Sequence, residues 1–117
     1  MPRFALLVYD DETATPDPAS PEWRALWDAY VRLDEEAKAA GVLIDSQPFA
    51  PTSAATTIRV RGARTGQAAG PAEPTTTQLG GYYLVECPDE AEALAWAARI
   101  PGASTGAAEV RPIIEGP

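Results

Sequence analysis

The 117-residue sequence predicts an α+β sandwich in the order β-α-β-(hairpin)-β-α-β. Three observations carry that expectation. Two short apolar runs, residues 4–9 and 82–87, each lead into a helix-start signal and a stretch of helical spacing. Each helical stretch ends at a glycine and is followed by another strand pattern. Between the two halves, residues 56–61 alternate apolar and polar side chains and meet a glycine turn.

Residues 4–9 are almost continuously apolar and run into Asp10, Asp11 and Glu12, the mark of a short strand buried on both faces. Residues 13–18 hold two prolines and form a turn-rich loop. Ser20-Pro21 opens the first helix: serine caps it, proline suits the first helical position, and Glu22 lies in the first turn. Trp23, Leu26, Trp27, Tyr30, Leu33 and Ala37 then recur at helical spacing, while Arg24, Asp28, Arg32, Glu35 and Glu36 make a solvated face. Gly41 supplies the C-terminal stop.

A second strand begins at residues 42–44 and extends toward Phe49. In residues 56–61, Ile58 and Val60 alternate with Thr57, Arg59 and Arg61, and Gly62-Ala63 suits a hairpin turn leading to a weak returning strand from Arg64. Residues 68–77 are poor in bulky side chains and read as a loop; residues 82–87 are a strong strand. Asp89, with Glu92 three residues on, forms a capping box for a second helix carrying Leu94, Trp96, Ala97 and Ile100. Pro101-Gly102 ends it. Residues 110–114 make a last strand, which Pro112 confines to an edge or an early end.

Two β-α-β halves with helices on one face are a ferredoxin-like subunit. Two helices leave the other side of the sheet uncovered, although the first strand is apolar on both sides. A second copy of the chain is the simplest cover, so the expected assembly is a face-to-face homodimer, a dimeric α+β barrel, from a single domain spanning residues 1–117.

Composition narrows the chemistry. The chain has 17 Asp+Glu against 9 Lys+Arg, a formal charge of -8, no histidine, one cysteine (Cys87) and one lysine (Lys38). No imidazole relay or His-ligated metal is available, and one cysteine makes neither an internal disulfide nor a thiolate zinc site. No metal and no cofactor are expected. The acidic balance opposes binding to nucleic acid, and no run reaches the roughly 18 apolar residues of a membrane span. With no secretory signal read at the start, the expected compartment is the reducing cytoplasm. Residues 1–45 hold ten acidic and four basic side chains, so the arginine-bearing hairpin region is close to balance.

The stretch Gly70-Pro71, then Gln78-Leu79-Gly80-Gly81-Tyr82-Tyr83-Leu84, resembles the signature of the YCII-related superfamily, in particular its DGPF-domain branch. That branch typically shows Asp-Gly-Pro-Phe, a polar spacer and Gln-Leu-Gly-Gly-aromatic-Tyr-Leu. Residues 39–51, 55–62, 89–103 and 108–113 extend the resemblance over nearly the whole chain. It implies a dimeric α+β barrel with a cleft between the open sheet face and the partner. Its members are mostly uncharacterised, and many are encoded beside extracytoplasmic-function sigma factors in actinobacteria and other soil bacteria. The superfamily includes a dehydrochlorinase of a hydroxylated aromatic, with a suggested His/Asp pair. Here Ala69 and Ala72 stand where the signature has Asp and Phe, and no histidine exists to complete such a pair.

Several residues are candidates for chemistry, each with a bland counterpart. Asp10 follows the first strand, where ligands often sit, and is an acid/base candidate; with Asp11 and Glu12 it also suits a solvated loop. Tyr82 and Tyr83 alternate, so one faces the helices and one the cleft, and Tyr82 is the second catalytic candidate. Arg59, Arg61 and Arg64 around the hairpin, with Arg111 on the last strand, either hold an anion or offset acidic surface across a dimer. Glu73 and Gln78 are further ligand-binding candidates. Gln78-Leu79-Gly80-Gly81 precedes a strand, so its glycines suit a bulge or close backbone approach rather than a phosphate loop. Trp23, Trp27 and Trp96 read as packing residues, and Cys87 as a buried, inert thiol.

The expected function is binding of a small organic metabolite in a cleft at the dimer interface. The alternatives are a cofactor-independent lyase, isomerase or cyclase using Asp10 or Glu73 with Tyr82 and Arg59, and a regulator of an extracytoplasmic-function sigma factor.

Overall fold

A computed structural model describes residues 1–116. Its strands are β1 (Arg3–Asp11), β2 (Leu43–Pro48), β3 (Thr56–Arg61), β4 (Arg64–Ala69), β5 (Thr77–Glu86) and β6 (Ala107–Pro112), with helices α1 (Pro21–Ala39) and α2 (Glu90–Ala97). Short 3-10 turns occupy Glu12–Ala14, Thr52–Ala54 and Pro101–Ser104. The main sheet has the order β2-β5-β1-β6 with every neighbouring pair antiparallel. Each β-α-β half is thus split by a strand of the other half, the ferredoxin-like arrangement expected from the sequence.

The helix ends follow the expected chemistry. The Ser20 hydroxyl accepts from Trp23 N at 3.2 Å with Pro21 at the first helical position, and Gly41 takes φ +72° just beyond α1. Asp89 accepts from Glu92 N at 2.9 Å and starts α2. Phe4, Leu6 and Val8 of β1 and Tyr83 and Val85 of β5 point to the helix side. There they meet Leu33, Ala93, Ala97 and Ile100 in one core. Cys87 is fully buried beside them, and burial, ahead of Glu92 and Asp89, pushes its thiol pKa up.

In the single chain the face of β1 away from the helices, Ala5, Leu7 and Tyr9 across from Leu84, Tyr82 and Leu79, is half-buried, because both helices pack on the other side. The structure departs from the sequence expectation in two places. β5 starts at Thr77 rather than Tyr82. The register slips between Val8 and Tyr9, so Gly80 is the extra residue of a bulge that lets the strand continue backward through Gln78. The β3–β4 hairpin joins neither edge of the main sheet. Gly62 makes its turn with φ +61°, and Ile58 and Val60 are 63% and 58% exposed. This free ribbon raises the radius of gyration to 16.1 Å, against about 13 Å for a compact domain of this size.

Among the described residues, no helix is long and apolar enough to cross a membrane.

Candidate functional site

A cavity of about 240 Å³ lies between α1 and the helix-facing side of the sheet. α1 supplies one wall through Trp23, Trp27, Tyr30, Val31 and Asp34. Trp23, Trp27, Tyr30 and Asp34 follow one another at intervals of three or four residues, so they share one helical face, with Val31 at its edge. The opposite wall is Val8 and Asp10 of β1, residues 80–83 of β5 and residues 46–48 of β2. Trp23 and Trp27 stack with ring centroids 5.3 Å apart and planes 15° apart, and Trp27 is 45% exposed, so the pair lies where the cavity meets solvent.

Glycines make the space. Gly81 lies so close to β2 that a Cβ there would stand 2.8 Å from the Gln47 carbonyl oxygen. Gly80 and Gly102 flank the Asp10 carboxyl: a Cβ at Gly80 would meet Asp10 Oδ2 at 2.5 Å, and one at Gly102 would meet Asp10 Oδ1 at 2.7 Å and Tyr30 Oη at 2.6 Å. The Asp10 carboxyl is thus seated in a niche between two backbone segments, with the Tyr30 hydroxyl at the same glycine. Gly102 N donates to Tyr30 Oη at 3.0 Å, which leaves the phenolic O–H free to donate onward.

Electrostatics separate neighbouring groups. Burial, reinforced by the Glu12 charge, raises the Asp10 pKa. Adjacent Asp11 moves the other way, chiefly because the Thr13 hydroxyl, together with its amide, donates to the carboxylate. Burial first, then the Asp10 charge, raises Tyr30. Tyr83 is raised strongly by burial, then by Asp34 and Tyr30. Both phenols are therefore held neutral. Asp34 Oδ2 accepts from Ser46 Oγ at 3.1 Å, whereas Asp34 Oδ1 is buried without a hydrogen-bond partner.

The residues singled out from sequence converge only in part: Asp10 and Tyr82 both line the cavity. Tyr82 follows the opposite alternation from Tyr83, so its side chain lies on the open sheet face. There its hydroxyl donates to Asp45 Oδ2 at 2.5 Å and its ring tilts against Phe49. Arg111 pairs with Ala5 in register on that same open face and makes an ion pair with Glu109 at 3.7 Å. Arg59, on the ribbon, donates to the Ala72 carbonyl at 2.9 Å and ties β3 to the following loop. The Gln78 side-chain amide donates to the Glu73 and Thr75 carbonyls and to the Thr75 hydroxyl, closing the 73–78 loop. Glu73 therefore takes part through its backbone.

A second hollow of about 240 Å³, bounded by Asp10, Glu12, Phe49, Gln78 and Gly80, lies on the far side of Asp10. Neither hollow is lined by Arg59, Glu73 or Arg111. The first cavity is lined by residues of α1, β1, β2 and β5.

Trp23, Trp27, Tyr30 and Asp34 are the lining residues that the sequence reading treated as packing or passed over. One signal was there: Asp34 follows Tyr30 by four and Val31 by three, placing a carboxylate on the apolar stripe of α1.

Comparison with known proteins adds two findings. The family model described as YCII-related domain matches residues 2–116. The chain is also 34% identical over 112 residues to an uncharacterised protein, R00369, of Rhizobium meliloti (strain 1021), covering 94% of this chain and 90% of that relative.

Proposed function

Because this chain belongs to the YCII-related family, we propose that it binds a small organic metabolite in the cavity beneath α1. The single observation that carries the reading is the cavity itself, a mostly apolar space of about 240 Å³ into which Asp10, Tyr30, Asp34 and Tyr83 converge. Ligand sites are characteristically apolar hollows with a few directed polar groups, and this volume lies below the roughly 300–1,000 Å³ of drug-sized pockets. A single ring with a short substituent suits it. Crystals soaked with a library of such fragments test the proposal. Density between Trp27 and Gly81 supports it, whereas hits confined to other surfaces refute it.

A homodimer closed through the open sheet face belongs to the same proposal. Its support is the half-buried row of Leu7, Tyr9, Tyr82 and Leu84, a patch of apolar bodies that a second copy would cover. A monomer by light scattering at micromolar concentration contradicts this part.

A second reading, a cofactor-independent lyase, isomerase or cyclase, is favoured by Asp10 alone. A half-buried carboxyl with a raised pKa beside a neutral phenol is equipped to exchange a proton with a bound ligand. In this reading Asp10 works with Tyr30, whose hydroxyl meets the Asp10 carboxyl at Gly102, in place of Tyr82 and Arg59. For any ligand that is turned over, Asp10→Asn lowers kcat by at least about 100-fold; an unchanged kcat removes Asp10 from the chemistry.

A further inference from the structure

We propose that the ligand of the α1 cavity is a small organic cation, an amine or quaternary ammonium. Its charge lies toward Asp10 and Asp34, and its apolar part lies against Trp23 and Trp27. This rests on the reading of the cavity as a ligand site and adds the class of ligand. Two carboxylates line the space and no Lys or Arg does. Neither carboxylate takes part in an ion pair among the described residues; the four that form lie elsewhere and use Arg3, Arg24, Arg99 and Arg111.

The Ser46 hydroxyl, and that of Tyr83 beside it, face Asp34 as neutral donors, so no positive charge among the described residues balances that carboxylate. A cation in the cavity supplies the missing counter-charge. An anion would meet repulsion there, and the arginines suited to one lie on the ribbon and the open sheet face. The stacked Trp23–Trp27 pair presents the electron-rich ring faces that attract ammonium groups most strongly. Tyr30 and Tyr83, both held neutral, add acceptor oxygens and no positive charge. The chain's formal charge of -8 draws cations toward it from solution.

Benzylamine, benzyl alcohol and phenylacetate share a ring and differ in charge, so calorimetric titration of the full chain with each tests the proposal. Benzylamine is expected to bind about tenfold or more tightly than benzyl alcohol, with phenylacetate weakest. In Asp34→Asn, and separately in Asp10→Asn should the first variant not fold, the ratio of benzylamine to benzyl alcohol affinity falls toward one. Equal affinity of the wild type for amine and alcohol, or tighter binding of phenylacetate, overturns the cation assignment and leaves the cavity reading standing. Failure of all three probes to bind overturns both.

Discussion

Replacing Gly81 by alanine probes the backbone packing that forms the cavity floor. The new Cβ would stand 2.8 Å from the Gln47 carbonyl oxygen and 3.3 Å from Pro48 Cα, both backbone atoms of the neighbouring strand. No side-chain rotation relieves that contact, so the end of β2 must move away and strain the bond from Phe49 N to Gly80 O, now 2.9 Å. Overpacking of this kind costs about 1–3 kcal/mol, and alanine in place of a strand glycine returns about 0.5–1 kcal/mol of chain entropy. The net expectation is a loss of about 1–2 kcal/mol, or roughly 4–8 °C in Tm for a chain of this length. Gly66→Ala is the control. Its Cβ would have nothing nearer than the Arg59 carbonyl oxygen at 3.9 Å, so it is neutral or stabilising by up to about 0.5–1 kcal/mol. Urea unfolding followed by far-UV circular dichroism measures both. A Gly81→Ala variant as stable as the wild type would refute the close-approach account.

Other expectations follow from the same geometry. The folded state favours the protonated form of Asp10, so its charge costs stability that mounts as pH rises above the ordinary value of 3.8. Asp10→Asn therefore gains in urea midpoint over the wild type above that pH and shows no gain below it; a variant less stable at neutral pH contradicts the sign. Ser20→Ala removes the acceptor of Trp23 N and lowers stability by about 1 kcal/mol, read from the same unfolding curves. The Cys87 thiol, buried and raised in pKa, resists a disulfide-exchange reagent in native protein and reacts fully in urea; rapid native labelling would place it elsewhere.

The fold was legible because its signals are local. Ser20-Pro21 and Asp89 cap helices by contacts a few residues away, and the Gly62 hairpin is encoded within its own turn. The free ribbon was not, since no local pattern states that β3 and β4 decline to join the sheet. The site was legible at Asp10, at Tyr82 and in the close approach of Gly80-Gly81. Strand alternation separated Tyr82 from Tyr83 without telling which faced the helices, and that was set by the register of β5 on β1 around the Gly80 bulge. Trp23 and Trp27 satisfy the amphipathic pattern whether they fill a core or wall a cavity. What distinguishes the two is the absence of Cβ atoms opposite, at Gly80 and Gly81, more than fifty residues away in the chain.

The most direct test of the α1 cavity as the ligand site is the response of the three indole N–H signals to benzylamine in a ¹⁵N-labelled sample. Trp23 and Trp27 wall the cavity, whereas Trp96 packs against the core outside it, beneath the Arg99 guanidinium. Saturable shifts of Trp23 and Trp27 with Trp96 unmoved are the predicted result. Shifts confined to Trp96, or none at any indole, would contradict it.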